Sequence, residues 1–186
     1  MTHDEWPSFF DEVEQNLERG WSWSGFERSV FFPNKGKGNF EVNVAPVLGL
    51  DQVGDGRGVA AGDIDNDGDL DLVCSNRNKP AITILRNEMT TGGHFLFVDL
   101  VPKKNRSPAG SKIVVTAGNL VLRRDVVLGS GFMSQHDTCQ HFGLNSEERA
   151  DSVEVTWPDG ETEVFNELKA NRKFRIRQGE GLEDLP

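Results

Sequence analysis

No stretch of this sequence approaches the roughly 18 consecutive apolar residues that a membrane-spanning helix needs. Met1-Thr2-His3-Asp4-Glu5-Trp6 has neither the basic nor the apolar region of a signal peptide, so no leader is expected within these residues. Positive charge is scarce: 20 Lys and Arg stand against 30 Asp and Glu, a net charge of −10 that excludes a general nucleic-acid binder. Only 2 cysteines occur, Cys74 and Cys139, and no CxxC zinc pattern. They allow one disulfide without demanding it. Cys74 falls in an apolar strand, where a free thiol behaves as a small hydrophobe, so two free thiols are expected. Tyrosine is absent altogether, which has no functional reading. Hydrophobic residues make up 36%, a shortfall that the 20 glycines offset; such a composition favours many short strands. A chain of 186 residues is enough for one large or two small domains.

What is abundant is acid, concentrated in one place. Asp63, Asp65, Asp67, Asp69 and Asp71 occupy every odd position of a nine-residue stretch, with Gly68 between the third and fourth. Like charges a few ångströms apart repel by about 1 kcal/mol or more per pair, and a hard divalent cation removes that cost. In the EF-hand frame Asp63, Asp65 and Asp67 take positions 1, 3 and 5, and Gly68 takes the turn at position 6. Asp69 at position 7 would offer its backbone carbonyl, and Asp71 stands at position 9. Position 12, where an EF-hand places a bidentate Glu, is Cys74, so Asp71 is expected to coordinate directly. The flanks, Gly58-Val59-Ala60-Ala61-Gly62 and Leu72-Val73-Cys74-Ser75, are short and β-forming. The pattern predicts a Ca²⁺ loop between two strands; the plain alternative is a solvated acidic turn.

Around this loop the chain reads as all-β with one N-terminal helix. Trp6, Phe9, Phe10, Val13 and Leu17 recur at helical spacing and predict a helix over 6–19, with an acidic polar face that anionic lipid would repel. From residue 26 the period becomes two. Strands at 29–33 and 40–44 are expected around the turn Asn34–Asn39, and further strands at 59–64, 70–74 and 81–86. After Thr90-Thr91-Gly92-Gly93 the strands lengthen: 94–100, 112–117, 120–128, 152–157, 161–165 and 174–177. Gly118-Asn119 and Trp157-Pro158-Asp159-Gly160 are hairpin turns. Three regions are expected: 1–25, a helix and aromatic segment; 26–90, the calcium-binding repeat; and 91–186, an antiparallel sandwich or barrel.

Two blocks carry a family resemblance. Within Phe31–Glu88, Asn34-x-Gly-x-Gly-x-Phe40, Gly56-Arg57-Gly58-Val59-Ala60 and the acidic loop resemble an FG-GAP (VCBS) repeat, a blade of integrin-type β-propellers with calcium at its Asp-rich loop. Within Ala109–Arg177, Gly129-Ser130-Gly131-Phe132-Met133-Ser134-Gln135, His141-Phe142-Gly143-Leu144 and Asp151–Gly160 are similar to the ASPIC/UnbV domain. That domain ends cartilage-acidic-protein-1-like proteins and the UnbV proteins of bacterial clusters; the resemblance is compatible with an extracellular or periplasmic setting and leaves a cytoplasmic one open. Two departures stand out. A propeller needs at least about four blades, whereas this chain shows one acidic loop, so its incomplete propeller blades need closing by the helix, the second domain, a protein partner or self-association. Asn145 also stands where a further Gly is common.

Other candidate sites are weaker. His136, Cys139 and His141 could hold a transition metal if one face gathered them; the structural reading is a semi-buried His fixing a turn. Trp21-Ser22-Trp23-Ser24-Gly25-Phe26 could stack on a sugar or apolar ligand, or cap the first blade. Lys103-Lys104-Asn105-Arg106 reads as a solvated turn. No nucleophile–base–orienter set is visible. The leading expectation is a calcium-binding interaction or scaffold module. The alternative is a biosynthetic enzyme binding an apolar substrate between its two β modules, with Asp55, Arg57, His136 and His141 as catalytic candidates.

Overall fold

The computed structural model describes residues 6–19, 27–77, 80–89 and 92–185. The chain forms two compact units, one of residues 1–59 and 73–85, the other of residues 60–72 and 86–186. The aromatic segment 21–26 lies outside the described residues.

In the first unit, helix α1 (Trp6–Glu18) runs as its apolar spacing predicts, with Val13 and Leu17 half-buried and the acids around them exposed. The hairpin expected around residues 34–39 is displaced into its own turn. Strands β1 (Asn34–Gly36) and β2 (Asn39–Phe40) are the glycine-rich segment itself, and the flanking 29–33 and 41–44 are not strands. Pro33 has no N–H to give a ladder. The Phe31 N–H is instead taken by the Asn43 side chain at 2.8 Å. A turn of helix that the sequence did not signal, α2 (Ala45–Leu48), follows, with a proline in its first turn and Gly49 closing it at φ 72°. Strands β3 (Gly56–Gly62), β4 (Asp71–Asn76) and β5 (Ile82–Leu85) form a sheet in that order, and β3 and β4 contribute residues to both units.

The second unit is a sandwich of two four-stranded sheets. One has the order β11-β10-β7-β8, from β7 (Lys112–Ala117), β8 (Leu120–Asp125), β10 (Arg149–Thr156) and β11 (Thr162–Lys169). The other has the order β13-β12-β6-β9, from β6 (His94–Val101), β9 (Gln140–Asn145), β12 (Arg172–Arg177) and β13 (Gly181–Leu185). Alternating residues from both sheets meet in one core, including Leu96, Val98, Ile113, Val115, Phe142, Val153, Val155 and Ile176, each fully buried. Trp157, equally buried, donates its indole N–H to Glu163 at 2.5 Å.

The sandwich is not wholly antiparallel: β12 pairs parallel with β6. The chain changes sheets between β11 and β12, and Asn171, at φ 57°, turns that corner. Its backbone N–H donates to the Phe95 carbonyl at 2.7 Å while its side-chain oxygen accepts the Phe95 N–H at 3.2 Å. Alternation along a strand tells which face is buried but not which neighbour it meets, which is why the parallel pair was not foreseen. The sequence pattern alone predicts neither β9 nor β13 as a strand. Asn145, the departure noted above, sits at φ 53°, a left-handed position that Asn tolerates nearly as Gly does.

Candidate metal centre

The acidic loop belongs to the second unit. Asn66 at φ 62° and Gly68 at φ 99° curl the chain, and the turn brings Asp63, Asp65 and Asp71 together. Asp63, Asp65 and Asp71 each bring one oxygen into a group spanning no more than 4.8 Å. Two ligands about 2.4 Å from a common calcium ion stand at most about 4.8 Å apart, so the three oxygens fit one such ion.

The surrounding contacts hold this arrangement. Asp71, almost wholly buried, accepts the Ile64 N–H at 2.9 Å on one oxygen and the Asn87 N–H at 2.8 Å on the other. Asp63 Oδ2 accepts the Gly68 N–H at 3.2 Å, and Asp67 Oδ1 accepts the Asp69 N–H at 3.1 Å. Arg86 reaches Asp65 at 3.2 Å and also pairs with Glu88. Two buried oxygens, Asp63 Oδ1 and Asp69 Oδ1, have no hydrogen-bond partner. A buried carboxylate oxygen without a donor costs free energy that a cation would return. The Asp69 carboxyl is pushed above the usual carboxylate range, first by desolvation and then by Asp67, Asp71, Asp65 and Asp63. The donor set is oxygen alone, which suits a hard cation.

His141 on β9 closes the loop from the sandwich side. Its Nε2–H donates to the Gly68 carbonyl at 3.2 Å, and its ring lies against Phe95 and Phe97, with centroids 6.3 and 4.9 Å away. Burial lowers its pKa, outweighing the Gly68 bond, so the neutral imidazole is favoured. His136 does a similar job: its Nδ1 accepts the Ala61 N–H at 3.0 Å. These backbone partners were not foreseeable, because they join residues more than seventy positions apart.

The transition-metal grouping of His136, Cys139 and His141 is not formed. Among the described residues the acidic group is the one set placed to hold an ion. Both histidines are engaged by backbone groups, and burial pushes the Cys139 thiol up to about 12. Cys74 and Cys139 are free thiols. Asp55 and Arg57 lie in the first unit, where the fully buried Asp55 pairs with Arg57 at 2.6 Å and its backbone carbonyl accepts the Arg77 N–H at 2.9 Å. That geometry ties a turn to the sheet.

Comparisons with known proteins agree with both resemblances. Residues 101–183 match the ASPIC and UnbV family model, and residues 21–74 match the FG-GAP-like repeat. Cartilage acidic protein 1 from Homo sapiens is 34% identical over 114 residues, covering 60% of this chain and 17% of that protein. The Mus musculus protein is 34% identical over 114 residues, covering 60% and 18%, and that of Xenopus tropicalis 34% over 110 residues, covering 58% and 17%. The matched segment thus spans less than a fifth of the length of these relatives.

Proposed function

We propose that this chain, which carries an FG-GAP-like repeat followed by an ASPIC and UnbV domain, is a calcium-binding, β-rich interaction or scaffold module. The observation that carries the reading is the convergence of Asp63, Asp65 and Asp71 oxygens, with the buried, partnerless Asp63 Oδ1 and Asp69 Oδ1 beside them. Calcium supplies the counter-charge that allows these carboxylates to share one turn. The protein's own residues do the rest: Gly68 makes the bend, His141 holds its carbonyl, and Asp71 fastens the far end to Asn87.

The first unit supports an interaction role. Among its described residues Ala45 is the buried hydrophobic, whereas Phe32, Phe40, Val42 and Ile84 are 52, 64, 75 and 61% exposed. Apolar surface of this extent calls for cover, from a protein partner or from a second copy of the chain.

Thermal unfolding of the chain in excess EDTA and in millimolar calcium tests the calcium reading. Binding to the folded state alone raises Tm by mass action; a calcium concentration 100 times Kd contributes about 2.7 kcal/mol. A Tm that does not move between the two conditions removes the reading.

A further inference from the structure

β8 and β9 are outer strands of the two sheets of the sandwich. A cavity of about 300 Å³ opens where they part, lined by Arg124 of β8, Gln140 and His141 of β9, and His136, with Phe97 and Val127 as apolar wall. The volume suits a small molecule.

Three carboxylates also line it: Asp125 and Asp137 have partners, whereas Asp63 belongs to the ion-binding group and keeps one buried oxygen without a hydrogen bond. Asp63 accepts the Gly68 N–H, Asp125 pairs with Arg123 at 2.9 Å, and Asp137 accepts the Cys139 N–H at 3.0 Å. Arg124 differs from them. Its guanidinium gives one hydrogen bond to the Arg123 carbonyl at 3.2 Å and lies over the Phe142 ring, 5.7 Å from the centroid. Among the described residues no carboxylate forms an ion pair with it. A cation held in place on an aromatic face, with most of its N–H groups uncommitted, is prepared for a planar anion.

His136 adds a second donor. Because its Nδ1 accepts the Ala61 N–H, the ring proton of the neutral imidazole sits on Nε2. His141 is its converse: Nε2–H is spent on the Gly68 carbonyl, and Nδ1 is left as an acceptor. The lining therefore holds two kinds of donor, one imidazole acceptor and an apolar wall.

We propose that this cavity binds a small organic acid, its carboxylate held by Arg124 and the His136 Nε2–H and its apolar body packed on Phe97, Val127 and Leu70. The cavity shares Asp63 with the proposed calcium loop, whose ion would offset that carboxylate, so the test runs both in EDTA and in millimolar calcium: saturable binding in either condition supports the site, and the calcium reading is judged by Tm alone.

Isothermal titration of the whole chain with hexanoate, hexanamide and hexylamine separates the cases. Hexanoate is expected to saturate one site, with hexanamide at least about tenfold weaker, a difference near 1.4 kcal/mol. Arg124→Gln should bring hexanoate down to the level of the amide. Lys169→Gln, which removes a cation on β11 at the opposite edge of the sheet from β8 and leaves the cavity lining intact, should change its Kd less than twofold. Arg124 is exposed, so its variant is expected to stay folded, with a small loss of Tm from the missing Phe142 contact. The imidazole resonance of His136 should move on hexanoate addition and saturate with the calorimetric Kd. Hexylamine binding as tightly as hexanoate, an unchanged Kd in Arg124→Gln, or no saturable binding in the millimolar range would each overturn the proposal.

Discussion

Gly68 lies directly beneath the ring of Phe95: a Cβ on this glycine would stand 1.9 Å from Phe95 Cε1. The position is demanding twice over, because φ is also 99°, where an L side chain is strained. Gly68→Ala should therefore cost about 2–4 kcal/mol, read as a lower urea midpoint. Phe95→Ala placed on top should recover part of that loss, since it removes the ring the methyl meets. A Gly68→Ala protein within about 0.5 kcal/mol of wild type would mean that the loop does not pack as described.

The acidic loop shows what one sequence can and cannot reveal. The need for a glycine at its sixth position was legible, because the spacing of Asp63, Asp65 and Asp67 imposes a turn there. That the same glycine must also clear Phe95 was not, because nothing local links a turn to a ring on another strand. Strand β9 is illegible in the sequence for a related reason. Gln140–Asn145 alternates Phe142 and Leu144 inward, but Gly143 and the histidine mask the pattern, and only pairing with β6 makes it a strand. β7, whose Ile113, Val115 and Ala117 alternate cleanly, matched its expected bounds, Lys112–Ala117.

Asp71→Asn tests both roles of that side chain. It removes an anion from the ion-binding group, and it turns an amide N–H₂ toward one of two backbone donors. The calcium-induced rise in Tm should disappear. In EDTA the variant should still be less stable, by about 1–3 kcal/mol, because a buried N–H loses its acceptor. An undiminished calcium shift would exclude Asp71 from the site.

His141 should make stability fall on mild acidification. Its folded pKa is depressed below the unfolded value of about 6.5. At pH well above that value neither state binds the proton, and the term vanishes. As pH drops below about 6.5, the unfolded chain takes up the proton first, so stability declines until the folded pKa is passed. Measured in EDTA between pH 7.5 and 5 (a range set by that pKa), the wild type should lose more stability than His141→Gln, whose amide can still donate to Gly68. Parallel slopes would refute the assignment.

The two thiols should react differently with a maleimide or disulfide reagent under native conditions. Cys139 is buried, and desolvation carries its pKa to about 12, so thiolate is scarce near neutrality. Cys74, half-buried with a more modest upward shift, should label first. Denaturant should bring both to one rate. Equal labelling of both in the native state would contradict the packing around Cys139.

The parallel pairing of β6 with β12 governs the order in which the sandwich can assemble. Arg175 meets Asp99 across this pair at 2.8 Å, and the two lie 76 positions apart. β6 and β12 are the middle strands of their sheet, so β6 waits, one edge unpaired, until most of the domain has left the ribosome. Contacts so distant along the chain close slowly. A nascent protein arrested before β12 would present the apolar flank of β6 to chaperones, and a truncation there should yield aggregate rather than a smaller folded domain.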